Sequence, residues 1–160
     1  MGYELRAVIA DGTLLRKAAG HIRAARLVPL HGNLSLLPMT EEFHDAVTDG
    51  SDDRPMDFWG MPGGFDRELA RWSATGPVGY VESEYFGGAG EEQAVVWSNG
   101  TVALGPLYLP EGTAPPAGGG PVSQVLRHLG VRKGSASDEF EAAGLDRRRR
   151  TDEWGSPGQE

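Results

Sequence analysis

Two glutamates, Glu82 and Glu84, stand two residues apart in VGYVESEYF, and Glu91 and Glu92 follow soon after in GGAGEE. On an extended strand, a spacing of two places Glu82 and Glu84 on one face with Tyr80 and Phe86, their Cα atoms about 6.5–7 Å apart. Such a pair can share a proton, hold a cation, or serve as general acid and base. Catalytic carboxylates more often converge from different elements across a cleft, and nothing in the sequence indicates that convergence. The same residues also make a candidate binding face: Glu82, Glu84, Glu91 and Glu92 as anions, Tyr80 and Phe86 as aromatic contacts.

Other chemistry finds little footing. Gly87, Gly88, Ala89 and Gly90 form a glycine-rich run, but it leads into two acids and a strand. A phosphate loop needs backbone N–H groups feeding a helix and usually a lysine, so the run reads as a flexible hairpin loop. His21, His31, His44 and His128 are scattered, and no second histidine stands four residues from His44. Asp49, Asp52, Asp53 and Asp57 cluster beside Gly50 without the spacing of a calcium loop. There is no cysteine, which removes disulfides and thiolate ligands. No serine lies in a Gly-x-Ser-x-Gly setting. No catalytic residue, metal site or cofactor is expected on these grounds.

Charge supplies a second signal. The 160-residue chain carries −8, unevenly distributed. Residues 40–66 hold Arg54 against eight acids, and no Lys or Arg occurs between Arg71 and Arg127. A surface of one sign attracts a partner of the other and speeds its association. Nucleic acid is disfavoured, because phosphate contacts need a basic face. Arg147 to Arg150 form a basic run beside Asp146, Asp152 and Glu153, where pairing with the protein's own acids competes with an external role. Thirteen arginines against two lysines fit a GC-rich genome such as that of an actinobacterium.

The elements that must position these residues follow from periodicity. YELRAVIA alternates as a first strand, and Leu14, Ala18, Ile22 and Ala25 suggest a helix after it. Residues 25–31 and 34–38 read as short strands, with Pro29 suited to an edge. Thr40 is a candidate N-cap for a helix carrying Glu41 and Glu42 in its first turn. Residues 48–57 read as a loop over Phe58, Trp59 and Met61, and Phe65, Leu69 and Trp72 mark a helix over 65–74. Asn99-Gly100 is the signature of a type I′ hairpin. It predicts Trp97 opposite Val102, Val95 opposite Leu104 and Val96 opposite Ala103, with this strand pair inside the sheet. Residues 110–121 are rich in Pro and Gly and read as a loop. Pro121 and Gly130 bracket a helix buried through Val122, Val125, Leu126 and Leu129, and Ser137 caps a last short one ended by Gly144. Trp154 is placed either to dock the tail on the core or to anchor a partner.

The stretches LSLLPMTEEFHDAV, GPVGYVESEYFGGAGEEQAVVW and DEFEAAGLDRRRRTDEW, in that order, resemble a family of small actinobacterial proteins with no assigned activity. The resemblance spans most of the chain and brings no catalytic motif with it. In size, acidity and lack of catalytic residues the chain is also similar to bacterial immunity proteins, which plug a cognate toxin.

The expected fold is α+β: one domain over residues 1–154, mainly an antiparallel sheet with helices packed on it and a helical C-terminal appendage, then a disordered tail over 155–160. The leading function is a non-catalytic acidic protein-binding module, of which an immunity-type inhibitor is one form, with a partner that presents a basic surface. The alternatives are a small-ligand-binding protein or hydrolase using Glu82 and Glu84, and a structural protein that self-associates through a sheet edge. No run approaches the length of a spanning helix, and Glu4 and Arg6 interrupt what would be a signal peptide, so a cytoplasmic location is expected.

Overall fold

A computed structural model of the chain describes residues 2–87 and 89–154. The tail expected over 155–160 lies outside the described residues. The first alternating stretch forms strand β1 (Gly2–Asp11), and Asp11 caps helix α1 (Gly12–Ala19) by accepting from Thr13 N at 2.9 Å and Leu14 N at 3.2 Å. The helix stops short of the expected stripe: Leu14, Leu15 and Ala19 are its buried apolar side chains, and Ile22 and Ala25 pack only partly buried beyond it. Strands β2 (Val28–Pro29) and β3 (Leu34–Pro38) lead to helix α2 (Glu41–Val47), where Thr40 Oγ1 accepts from Phe43 N at 3.1 Å. Helix α3 (Phe65–Trp72) buries Phe65 and Leu69.

Strands β4 (Val78–Phe86), β5 (Ala89–Ser98) and β6 (Thr101–Leu109) form consecutive hairpins, followed by helices α4 (Pro121–His128), α5 (Glu139–Ala143) and α6 (Thr151–Trp154). The six strands lie in the order β2-β3-β1-β4-β5-β6 with every neighbouring pair antiparallel, so the fold is α+β. Each face of the sheet carries a packed layer. Val8, Val78, Tyr80, Val95 and Trp97 point to the face packed by α1, α2, α3 and the segment around Phe58 and Met61. Their strand neighbours Ala7, Ile9, Val81, Ala94 and Val96 point to the opposite face, against Val122, Val125 and Leu126 of α4, Ala143 of α5 and Trp154 of α6. A strand buried on both sides is apolar at consecutive positions, as AVVW is.

Several details differ from the sequence expectation. Asn99 (φ 54°) and Gly100 (φ 83°) make the predicted turn, and Trp97 does face Val102. Beyond that pair, Val96 faces Leu104 and Ala94 faces Leu107, so β6 gains one residue between Val102 and Leu104 and another between Leu104 and Leu107. These bulges cannot be seen from the turn that sets the register. Strand β5 is interior, but β6 is an edge, with Val102 and Tyr108 exposed. The glycine run is not a long loop: β5 begins at Ala89, and Gly90 pairs with Tyr85. Its Cα hydrogen side faces the Tyr85 ring so closely that a Cβ there would meet ring carbon at 2.4 Å. Asp138, not Ser137, caps α5, accepting from Glu141 N at 2.9 Å.

The segment after α5 covers the part of β1 that β3 does not reach. Glu4 N donates to Arg149 O at 2.7 Å, Arg6 N to Thr151 Oγ1 at 3.0 Å, and Glu4 forms a parallel bridge with Arg150. Trp154 is buried, with the Arg147 guanidinium 5.4 Å from its ring centroid, so the indole docks the segment onto the core.

Candidate functional site

The layer on the first face covers only part of the sheet. It ends over Glu82, whose carboxylate accepts from Trp59 N at 2.6 Å, Gly60 N at 2.7 Å and Tyr80 Oη at 2.7 Å. Burial pushes this carboxyl above its ordinary range, while those three donors and Arg6 pull it down. Glu82 and Tyr80 are wholly buried. Neither belongs to an outer binding surface, which corrects the expectation for both. The sequence hides this because two of the three donors come from backbone more than twenty positions away. With Glu82 beneath Trp59 and Gly60 and Glu84 in solvent, the two acids do not share a site.

Glu92 is also committed internally. It faces the second side of the sheet, where Oε1 accepts from Val122 N at 3.0 Å and Oε2 from Tyr85 Oη at 2.5 Å. It thus serves as a cap for α4, whose own cap residue, Gly120, has no side chain, and its negative charge suits the positive helix end. Burial, and after it this carboxylate, raises the Tyr85 hydroxyl. A Cβ at Gly120 would lie 2.8 Å from Glu92 Oε1, so glycine is what lets the acid approach.

Glu84, Glu91 and Phe86 remain outward. Past Glu82 the first face is open, and the strand register brings Glu4, Glu84 and Glu91 into one row across β1, β4 and β5. Side chains directly opposite on neighbouring strands have Cβ atoms about 4.5–5.5 Å apart, and like charges so placed repel. Glu4 is engaged by Thr151, which donates from N at 3.1 Å and from Oγ1 at 2.8 Å, and by the Arg6 guanidinium, whose Nε lies 3.8 Å from Glu4 Oε2. Glu91 Oε2 accepts from Tyr108 Oη at 2.5 Å, a bond that raises the Tyr108 hydroxyl. Glu84 is exposed.

Aromatic side chains flank this row on the same face. Phe86 is 78% exposed, opposite Gly2 on β1 and Ala89 on β5, neither of which offers a side chain large enough to cover it. Tyr108 of β6, opposite Gln93 of β5, is 56% exposed. Glu111 joins Glu4, Glu84 and Glu91 around a groove of about 420 Å³ at the end of the sheet, which Arg150, Tyr3 and Tyr85 also line. Sequence reading missed Glu4, Tyr108 and Glu111. Glu4 was legible in principle from the alternation of β1. Tyr108 was not, because its facing depends on the two bulges.

Among the described residues, no group of three or more His, Asp or Glu side chains converges as a metal ion would require. The glutamate row is extended, one acid per strand. Comparison with family models, with curated proteins and with solved structures finds no match.

Proposed function

We propose that this chain is a docking module that binds a cationic segment of a protein partner across the open end of its sheet, with no chemistry of its own. The observation that carries this reading is the register row Glu4–Glu84–Glu91, flanked by exposed Phe86 and Tyr108. Glu84 and Glu91, opposed in the row and without a cation within 4 Å among the described residues, are relieved by an incoming arginine or lysine, whereas Glu4 already has Arg6. An exposed aromatic ring beside them accepts the same cation over its face and supplies apolar contact. An extended row suits side chains projecting from a partner's strand or loop better than a single metal ion. No helix among the described residues is long and apolar enough to cross a membrane.

The rival readings draw less support. An acid–base pair of Glu82 and Glu84 would need both groups to reach one substrate, and Glu82 is sealed. Self-association through a sheet edge would need a long, regular edge. One edge, β2, is two residues long and includes Pro29, and the other, β6, is interrupted by two bulges. An immunity-type inhibitor is one protein of the proposed kind, distinguished by loss of the partner's activity on binding.

The test uses a partner captured on the wild-type chain. The double variant Glu84→Lys/Glu91→Lys should slow its association and flatten the dependence of the rate on salt. Asp52→Lys/Asp53→Lys makes the same change of net charge at exposed loop positions that are not part of the row and should bind as wild type does. Equal effects of the two double variants reduce the interaction to net charge and overturn the assignment of this face.

A further inference from the structure

The second face of the sheet, at the same end, carries a pocket that none of the preceding argument uses. Its volume is about 600 Å³, within the range of small-molecule sites. Tyr3 and Tyr85, opposite each other on β1 and β4, line its floor, the Pro115–Gly120 stretch and the first turn of α4 line one side, and Phe140 of α5 lines the other. Tyr3 and Phe140 meet edge to face, with centroids 5.2 Å apart and planes at 62°. The Tyr3 hydroxyl is tied to Leu145 O at 2.9 Å, which fixes the ring.

The wall is held together by its own polar contacts. Arg127 Nε pairs with Glu139 Oε2 at 3.1 Å, and Arg127 also bonds Gly118 O, which draws the Pro/Gly stretch against α4. Gln124 Nε2 donates to Gly119 O at 2.8 Å. Glu92 and Asp138 cap helices, as described above. The remaining charged groups of the lining are Lys133, Arg149 and Asp146. Neither cation has a carboxylate within 4 Å among the described residues, although Lys133 lies in the field of Glu139, whose carboxyl Arg127 and Lys133 hold below its ordinary range.

The geometry points to a binding site for a small amphipathic organic monoanion, an aromatic or alicyclic carboxylate or sulfonate. Its ring lies against Tyr3 and Phe140, and its anionic group is held by Lys133 and Arg149. A ring-lined pocket rewards an apolar body. Arg149, and Lys133 beside the already paired Glu139, reward one negative group. Asp146 and the acids committed to the wall stand against a second, so nucleotides and other polyanions are disfavoured. The site does not depend on the glutamate row of the opposite face.

The test titrates the full chain with 8-anilinonaphthalene-1-sulfonate, followed by fluorescence and calorimetry. Saturable binding at one site is expected. Lys133→Glu/Arg149→Glu should weaken it at least ~10-fold, as loss of charge-assisted contacts does. Phe86→Ser should leave it unchanged, which separates this pocket from the apolar patch on the other face. 1-Naphthoate should displace the dye, and 1-naphthylmethylamine and AMP should not. Absence of saturable binding at millimolar dye overturns the inference. So does binding indifferent to the Lys133/Arg149 variant, binding lost in Phe86→Ser, or displacement by the amine or by AMP.

Discussion

The Tyr80 hydroxyl donates to the Glu82 carboxylate at 2.7 Å, two residues along the same strand, and both side chains are wholly buried. The bond completes a set of three donors that pins Trp59 and Gly60 to the sheet. Buried carboxylates are tolerated only when their acceptors are used. Glu82 is therefore the fastener of the covering layer, and the open face begins at the next outward residue, Glu84.

Glu82→Gln should destabilise the fold by about 1–3 kcal/mol, the cost of a buried donor left without an acceptor. Glutamine preserves shape but replaces one acceptor oxygen by NH2. Whichever way its amide turns, that group meets the Trp59 or the Gly60 N–H. Urea denaturation at neutral pH measures the loss, and an unchanged midpoint would show that these bonds carry no stability.

The same variant has a pH signature. Burial raises the Glu82 carboxyl, against the lowering effect of Tyr80, Gly60, Trp59 and Arg6. A carboxyl raised on folding binds its proton more tightly in the folded chain than in the unfolded one. Its contribution to stability is largest below the unfolded value and declines as pH rises through the folded one. Glu82→Gln lacks this titration. Wild type should therefore gain on the variant as pH falls from neutral towards the ordinary carboxylate range. Paired denaturation series at several pH values test this, and a difference that grows with rising pH would reverse the sign.

Local signals were faithful to the fold. Thr40 caps the helix it precedes, Pro29 lies on an edge strand, Asn99-Gly100 turns the hairpin, and Pro121 opens α4. Each depends on neighbours within a few positions. The candidate site was only half legible, because the fate of each glutamate depends on distant partners. Glu82 meets Trp59 and Gly60, and Glu92 meets Val122 thirty positions on. Alternation placed Glu82 and Glu84 on one face correctly but gave no sign that the covering layer ends between them. The β6 bulges likewise turn Tyr108 towards Glu91 without any mark in the turn that fixes the first pair.

Glu92→Ala should cost about 1–2 kcal/mol, as the loss of a helix cap does. It leaves Val122 N and the Tyr85 hydroxyl without their acceptor at the start of α4. Hydrogen exchange should accelerate at residues 122–125 before it does in the sheet. Equal acceleration throughout would mean that the cap is not local to α4.

Trp97→Ala should destabilise by about 3–5 kcal/mol, as large-to-small changes at buried aromatic positions do. Trp97 is 4% exposed, in the cluster that also holds Val78 and Val95. Its partner across the ladder, Val102, is 41% exposed, so Val102→Ala should cost much less. Equal losses at both positions would place the core boundary on β6 rather than on β5.

Glu84→Gln separates stability from binding. Glu84 lies between Glu4 and Glu91 in the register, a like charge on each side. Opposed like charges cost a few tenths to about 1 kcal/mol, so the variant should be more stable than wild type by an amount in that range at low salt. The gain should shrink at about 1 M salt, where the screening length falls to about 3 Å. If the row is kept for docking, the same substitution weakens the partner complex, because it removes the central carboxylate. A stabilised chain that binds less well is the mark of a residue retained for function at the expense of the fold. A loss of stability in Glu84→Gln would show that the row is relieved by contacts within the chain. Gained stability with unchanged binding would leave the row unused and remove the open face from the docking surface.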